Sequence, residues 1–380
     1  MTCRTKVLFV LPAFRYGGTM TSFENLLMLI ANEDLDIDVY AIVDEGDARD
    51  RISRFSRILN DKRDGSKQEE KAFSFRKIAK SAKDLLSSIG FDLGSFLIKR
   101  LARRFDCSKY DVVIGYQEGY ATEFVAYSNA KRKIAWVHSM YSRWGNVKTT
   151  NIYDKLDTIV CVSETAKKDM IAAYPKGKGR IEVVYNSLNK ENVVSLSREY
   201  VSSQKADAFR IISVGRIDPV KRFSYIPVIA DELKKRGLNF IWTIIGGVAV
   251  KEEYEKLINS ISQLELKNEI VLKGQLDNPY PEIKNSDLLV CLSSSETFNY
   301  TLMEARFLGV PVIATNFTAA KEFVNNSIDG IISPLDEMAD VIEELISDDD
   351  KYNEFKSGLK NYTYDNNRVL ESFRQLLLVP

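Results

Sequence analysis

The feature that most restricts what this chain can fold into is a recurring unit: a short unbroken apolar run, a glycine or polar turn, then a helical stretch. Val7 to Leu11, Ile37 to Val43, Val112 to Gly115, Lys133 to Val137, Thr158 to Val162 and Ile181 to Tyr185 make one series. Phe209 to Val214, Phe240 to Ile245, Ile270 to Lys273, Leu288 to Leu292, the stretch from Val310, and Ile328 to Ile332 make a second. Apolar runs of this kind suit central strands covered on both faces, as in parallel sheets. The pattern predicts an α/β chain with two Rossmann-like, doubly wound parallel-sheet domains. At 380 residues the chain is too long for one ordinary core and suits two. The domains are expected at 1–190 and 207–364, with a polar linker at 191–206 and a C-terminal helix at 365–380 crossing back onto the first.

In such sheets ligands collect at the carboxyl ends of strands, and one strand end is richer than the rest. Leu292 to Thr315 (LSSSETFNYTLMEARFLGVPVIAT) reads as a strand tail, a turn at Ser293, Ser294 and Ser295, a helix from about Phe298 to Leu308, a stop at Gly309 and a strand from Val310. A helix N-terminus offers free amides and a favourable dipole to an anion, which makes the amides of Tyr300, Thr301 and Leu302 candidate phosphate ligands. Glu296 and Glu304 bracket that position, and carboxylates accept from sugar hydroxyls better than they bind phosphate. Alone, two glutamates at this spacing more often describe a capping carboxylate and a solvated face. Upstream, Pro219 discourages a helix in Gly215 to Arg222 (GRIDPVKR), so Arg216 and Lys221 belong to a strand-end loop. Arginine grips a diphosphate through two parallel hydrogen bonds and lysine adds a compact charge. The combination asks for a ligand that is sugar, diphosphate and ribose in one molecule.

The first series carries its own candidates. Gly17 and Gly18 end the first run and permit close backbone approach by a ligand, or form an ordinary strand-to-helix turn. His138, the only histidine, ends the run Lys133 to Val137 and is placed like a site residue. No GxGxxG follows the first run, so a dinucleotide oxidoreductase is not supported. Asp34, Asp36 and Asp38 flank a strand start and read as a solvated edge rather than a metal motif.

Composition removes other classes. Lys and Arg equal Asp and Glu at 53 each, which argues against a nucleic-acid partner. Cys3, Cys107, Cys161 and Cys291 are scattered without metal or disulfide spacing, and no apolar run approaches a bilayer's thickness, so a cytoplasmic location is expected. From Asp47 to Arg104, sixteen Lys or Arg face eight Asp or Glu. Phe75, Ile78, Ala79, Ala82, Leu85, Leu86, Ile89, Phe96, Leu97, Leu101 and Phe105 recur there at helical spacing. Two readings stand: a basic amphipathic surface lying on an anionic membrane, or a stripe packed on the first sheet with its basic face in water.

Glu296 and Glu304 with seven residues between them, followed by Ala305, Gly309, Pro311 and Val312, resemble the paired-glutamate signature of family 4 retaining glycosyltransferases of the GT-B fold. Val214 to Arg222, Ile245 to Gly247, Gly274 to Leu276, Gly17-Gly18 and His138 extend the resemblance over most of the chain. It implies two domains facing a central cleft and transfer, with retention, of a hexose or N-acetylhexosamine from a nucleotide diphosphate sugar, UDP-linked, to a glycan or lipid-linked acceptor in cell-surface polysaccharide synthesis. It further implies that Arg216, Lys221 and the helix amides meet the phosphates without a divalent metal or other cofactor. Glu304 would hold ribose, Glu296 the sugar, and His138 a point near the anomeric carbon, with Gly17 and Gly18 near the phosphates and acceptor. Gly274 and Leu276 would line the base pocket, and Phe298 and Asn299 complete the donor-binding set. Thr297 and Asn299 stand where the family commonly has glycine, as does Val248. The rival readings are a two-domain sugar or nucleotide-sugar binder without chemistry, a GT-B epimerase, and a phosphorylase.

Overall fold

The computed structural model describes residues 4–15, 17–59, 92–144, 150–199 and 208–378. The chain divides into two compact units, Met1–Ser187 with Asp365–Pro380, and Leu188–Tyr364. Each is built on one parallel sheet whose central strands are short apolar stretches with buried centres.

In the first unit the strands are β1 (Thr5–Leu11), β2 (Leu35–Ala41), β3 (Arg57–Ile58), β4 (Val112–Gly115), β5 (Lys133–Val137), β6 (Thr158–Cys161) and β7 (Ile181–Val183). Their order is β3-β2-β1-β4-β5-β6-β7, so the winding reverses between β1 and β4. The first helix, Gly18–Leu29, buries Phe23, Leu26 and Leu27. The C-terminal helix Asn366–Leu378 belongs to this unit: Phe373 lies 6.3 Å from Trp136, and Arg374 grips Glu33 through two bonds of 2.8 Å.

In the second unit β8 (Phe209–Val214), β9 (Phe240–Ile245), β10 (Ile270–Gly274), β11 (Leu288–Cys291), β12 (Val312–Thr315) and β13 (Ile331–Ser333) follow the order β10-β9-β8-β11-β12-β13. Here the reversal lies between β8 and β11. The carboxyl ends of the two strands at such a reversal diverge into a crevice, where open α/β sheets hold ligands.

Several local expectations are corrected. The segment read as a linker begins with a helix, Lys190–Leu196, capped by Asn189 and tied to the second unit where Asn278 Nδ2 donates to the Leu196 carbonyl (3.0 Å); residues 200–207 lie outside the described ones. Asp38 is not on a solvated edge: its carboxylate is buried, bound twice by Arg57 (2.8 and 2.6 Å) and by the Tyr110 hydroxyl (2.5 Å), because β3 pairs beside it. The last strand starts three residues later than expected, since Ser327 adopts a left-handed φ of 67° and Ile328 faces solvent in the preceding turn. The helix Leu93–Arg104 buries Gly94, Ile98 and Ala102 and leaves Phe96, Arg100, Arg103 and Arg104 exposed, so Phe96 is not in the packed stripe. Phe75 to Ile89 lie outside the described residues. Among the described residues no helix is long and apolar enough to cross a membrane.

Candidate active site

Three strand ends converge in the second unit because glycines let them. Gly246 passes so close to the end of β8 that a Cβ on it would lie 1.7 Å from the Gly215 carbonyl oxygen. The Gly246 amide donates to the Gly274 carbonyl (2.8 Å), and Gly274 itself has a φ of 68°. The loop after β8 is then held by Asp218, whose Oδ1 accepts the Val220 and Lys221 amides at 3.0 and 2.9 Å. Its Val220 carbonyl accepts the Ser294 amide (2.8 Å), which fastens this loop to the one after β11.

That junction brings Lys221 and Glu296 together. Lys221 Nζ lies 2.6 Å from Glu296 Oε1, with the two side chains 19% and 14% exposed, and Ser293 Oγ donates to the same oxygen at 2.7 Å. Burial disfavours the lysine charge, but the adjacent Glu296 carboxylate more than offsets it, so the Lys221 pKa is raised. Arg216 occupies the same loop but is 74% exposed and lies 3.4 Å from Asp218. The arrangement is a fixed cation and carboxylate at the sheet's reversal point, with a second, solvent-facing cation beside them.

The helix expected at Phe298 to Leu308 runs Tyr300–Phe307 and stops at Gly309, whose φ is 73°. Asn299 is its N-cap, accepting the Leu302 amide on Oδ1 at 3.2 Å. The Leu302 amide, expected to face a phosphate, is thus used by the cap. Asn299 Nδ2 turns to Cys291 Sγ (3.2 Å), which places this side chain inside the fold rather than on a ligand. The Phe298 ring is likewise buried, 5.0 Å from Phe323 and 4.9 Å from Tyr300, so its side chain serves packing. Glu304, one turn inside the helix, is buried and accepts from Tyr280 Oη at 3.0 Å. Desolvation pushes its pKa up to about 7. Gly274, the last residue of β10, is exposed, and Leu276 in the loop after it is half-buried.

In the first unit, Gly17 precedes the helix Gly18–Leu29 without a side-chain cap, and a Cβ on either glycine would meet no atom within 4 Å. His138 follows β5, its ring 4.9 Å from that of Tyr116. Burial holds its pKa down at about 3, against a hydrogen bond to the Tyr116 backbone, so the imidazole is neutral at physiological pH. Glu118 was not foreseen: its Oε1 accepts both the His138 and Ser139 amides at 2.6 Å. Tyr116 in turn shares a 2.8 Å bond with Ser22, which donates to Asn186 (2.6 Å). The signal for Glu118 and Tyr116 was their position at the end of β4, the strand beside the reversal. Among the described residues no group of three His, Cys, Asp or Glu could hold a metal ion.

Comparison with known families agrees with this geometry. The family model described as "Glycosyltransferase Family 4" matches residues 16–192, and the one described as "Glycosyl transferases group 1" matches residues 199–362. The chain belongs to the family 4, group 1 glycosyltransferases. An uncharacterized glycosyltransferase of Methanocaldococcus jannaschii is 24% identical over 66% of this chain and 72% of its own length. The N-acetylgalactosamine-N,N'-diacetylbacillosaminyl-diphospho-undecaprenol 4-alpha-N-acetylgalactosaminyltransferase of Campylobacter jejuni is 25% identical over 55% of this chain and 56% of its own. The UDP-Gal:alpha-D-GlcNAc-diphosphoundecaprenol alpha-1,3-galactosyltransferase of Escherichia coli is 24% identical over 54% and 52%. The chain thus spans only about half the length of these last two relatives. Among solved structures, HepE of Anabaena in complex with UDP and glucose aligns at a TM-score of 0.71 and 17% identity, covering 98% of this chain and 99% of that one. TarM aligns at 0.73 and 15%, covering 100% and 99%. The fold of this glycosyltransferase is GT-B.

Within this glycosyltransferase, the second unit gathers Lys221, Glu296 and the helix carrying Thr301 and Glu304 around one strand reversal, with Arg216 on its open side. The first unit places Gly17 and Gly18 after β1 and His138 after β5.

Proposed function

We propose that this glycosyltransferase is a retaining enzyme that moves a hexose or N-acetylhexosamine from a UDP-linked sugar to a saccharide or lipid-linked acceptor in cell-surface polysaccharide synthesis. The observation that carries the reading is the Lys221–Glu296 pair, fixed at the reversal between β8 and β11. When the glycosidic bond to the nucleotide breaks, negative charge grows on the departing β-phosphate. A cation already held in place stabilises that charge without reorganisation, and such preorganised electrostatics dominate the rate enhancement of many enzymes. Lys221 supplies it, Arg216 adds a second contact from the open side, and the helix N-terminus at Thr301 adds a partial positive charge. No divalent metal enters this scheme.

Glu296 accepts from the hydroxyls of the donor sugar and orients its anomeric carbon, and Glu304 accepts from the ribose. Acceptor attack and nucleotide departure take place on the same face of the sugar, which preserves the anomeric configuration. Support for a UDP donor comes from the UDP bound in HepE, and support for a lipid-linked acceptor from the diphospho-undecaprenol substrates in the relatives' names. The exposed basic surface of the helix Leu93–Arg104 supports docking on an anionic membrane, where such an acceptor resides.

The test supplies a panel of nucleotide sugars, with acceptor lipid extracts, and follows nucleoside diphosphate release with and without chelator. One UDP-sugar should be consumed at a rate indifferent to chelator, and Glu296→Ala should lower that rate by about 10²-fold or more. Equal rates for the two proteins would remove Glu296 from the site.

A further inference from the structure

Glu304 is held by a side chain that is itself clamped. Tyr280 opens the helix Tyr280–Lys284, four residues after Leu276 in the loop that follows β10. Pro279 and Pro281 flank it and limit the backbone on both sides. Asn278 Oδ1 accepts the Tyr280 amide (3.1 Å), while Asn278 Nδ2 donates to the Leu196 carbonyl (3.0 Å). The phenol therefore reaches Glu304 from an anchored backbone. Its bond to Oε1, at 3.0 Å, is the one hydrogen bond to the Glu304 carboxylate among the described residues.

We propose that Tyr280 is a positioning residue: by fixing Glu304 Oε1 it presents Oε2 to the ribose hydroxyls of a nucleoside diphosphate and so sets a preference for ribonucleotide over its deoxy counterpart. The inference rests on the reading of Glu304 as the ribose ligand. A carboxylate can rotate about its last torsion, and one well-anchored donor selects a single plane for it. Two neighbouring hydroxyls both donate only to an ionised carboxylate, because a protonated one turns an acceptor into a donor. Burial pushes Glu304 up to about 7 and the Tyr280 bond works the other way, so the phenol keeps more of the acceptor form at neutral pH. The other titratable groups on the elements packed against the Glu304 helix are engaged elsewhere or exposed. Glu282 is bound to Lys273, Lys190 lies over the Phe307 ring, Glu191 and Lys284 face solvent, and Cys291 contacts Asn299.

The experiment measures dissociation constants by calorimetry at pH 6, 7 and 8 for UDP, GDP and ADP, then for the 2′,3′-dideoxy form of whichever binds most tightly. The wild-type protein should prefer the ribonucleotide by about tenfold at pH 8, a hydrogen-bonding margin that shrinks as pH falls through 7. Tyr280→Phe should weaken ribonucleotide binding at pH 7 by roughly fivefold or more, leave dideoxynucleotide binding within about twofold, and move the pH midpoint upward. If Tyr280→Phe keeps the wild-type preference and midpoint while Glu304→Gln loses them, Tyr280 has no such role and the reading of Glu304 survives. If the wild type itself does not distinguish ribose from dideoxyribose, that reading fails and takes the proposal with it. A Tyr280→Phe protein that loses both nucleotides equally overturns the positioning role in favour of a structural one.

Discussion

Lys221 keeps its charge because the Glu296 side chain lies against it in a site where water is scarce. Removing one member of such a pair strands the other, which is costly, whereas removing both is often nearly neutral for folding. Lys221→Met should therefore lower the unfolding free energy by roughly 1–3 kcal/mol, and Lys221→Met with Glu296→Gln should recover most of it while remaining inactive. Chemical denaturation beside a transfer assay separates the two effects; a double variant no more stable than the single one argues against the pair. Glu304 makes the opposite point, since its folded-state pKa of about 7 lies above the ordinary carboxylate value of 4.5. The folded protein then binds the extra proton between these values, so the stability that Glu304 contributes is present below about 4.5 and is lost as pH rises through about 7. Glu304→Gln should stabilise the protein at pH 8 by roughly 1–3 kcal/mol, with little change at pH 4.5, while weakening nucleotide binding. Melting temperatures across pH report this directly. His138 has the reverse sign: its pKa, lowered from 6.5 to about 3 by burial, makes its stability contribution present above 6.5 and lost as pH falls toward 3.

At the scale of elements, strand ends and the helix that follows β11 carry the candidate site, and glycine decides how closely the strand ends approach. Gly246→Ala places a methyl group 1.7 Å from a backbone oxygen, so the end of β8 and the Arg216 to Lys221 loop must shift. Loss of at least about 2 kcal/mol in stability and a rise in donor KM are expected, measured by urea unfolding and initial rates. A variant with unchanged KM would show that the close approach does not set the loop's position. The glycine-rich strand ends, the Asn299 region and the Gly309 stop were legible because turns and helix ends have local chemical requirements. The role of Asn299 was not, because whether its carboxamide caps its own helix or faces a ligand depends on the space beside Cys291, which belongs to another element. The packing of Phe298 was hidden for the same reason: its ring meets Phe323, 25 positions on in the sequence.

For the whole molecule, the basic face of the helix Leu93–Arg104 gives a test of where the enzyme works. Cosedimentation with vesicles containing anionic phospholipid should exceed that with neutral vesicles, fall with added salt, and be reduced several-fold by Arg100→Glu with Arg103→Glu. Equal binding to both vesicle types would leave this face as a wet surface only. Two parallel-sheet domains, the succession of strands along the chain and the loops bearing Gly17, His138, Arg216, Lys221 and Glu296 followed from local patterns, since an unbroken apolar run and the turn after it are encoded by adjacent residues. Which side chains those loops bring into contact did not. The Lys221–Glu296 pair spans 75 positions, the bond from Tyr280 to Glu304 spans 24, and the hold of Glu118 on the His138 amide spans 20. Such contacts depend on how neighbouring strands register and how their loops close over the sheet, so the chain alone determined the scaffold and the residue types at the carboxyl ends of its strands. Tertiary packing decided which charges are buried, which amides are already bonded and which carboxylate is held by a neighbouring phenol, because desolvation and hydrogen-bond geometry exist only once distant segments meet.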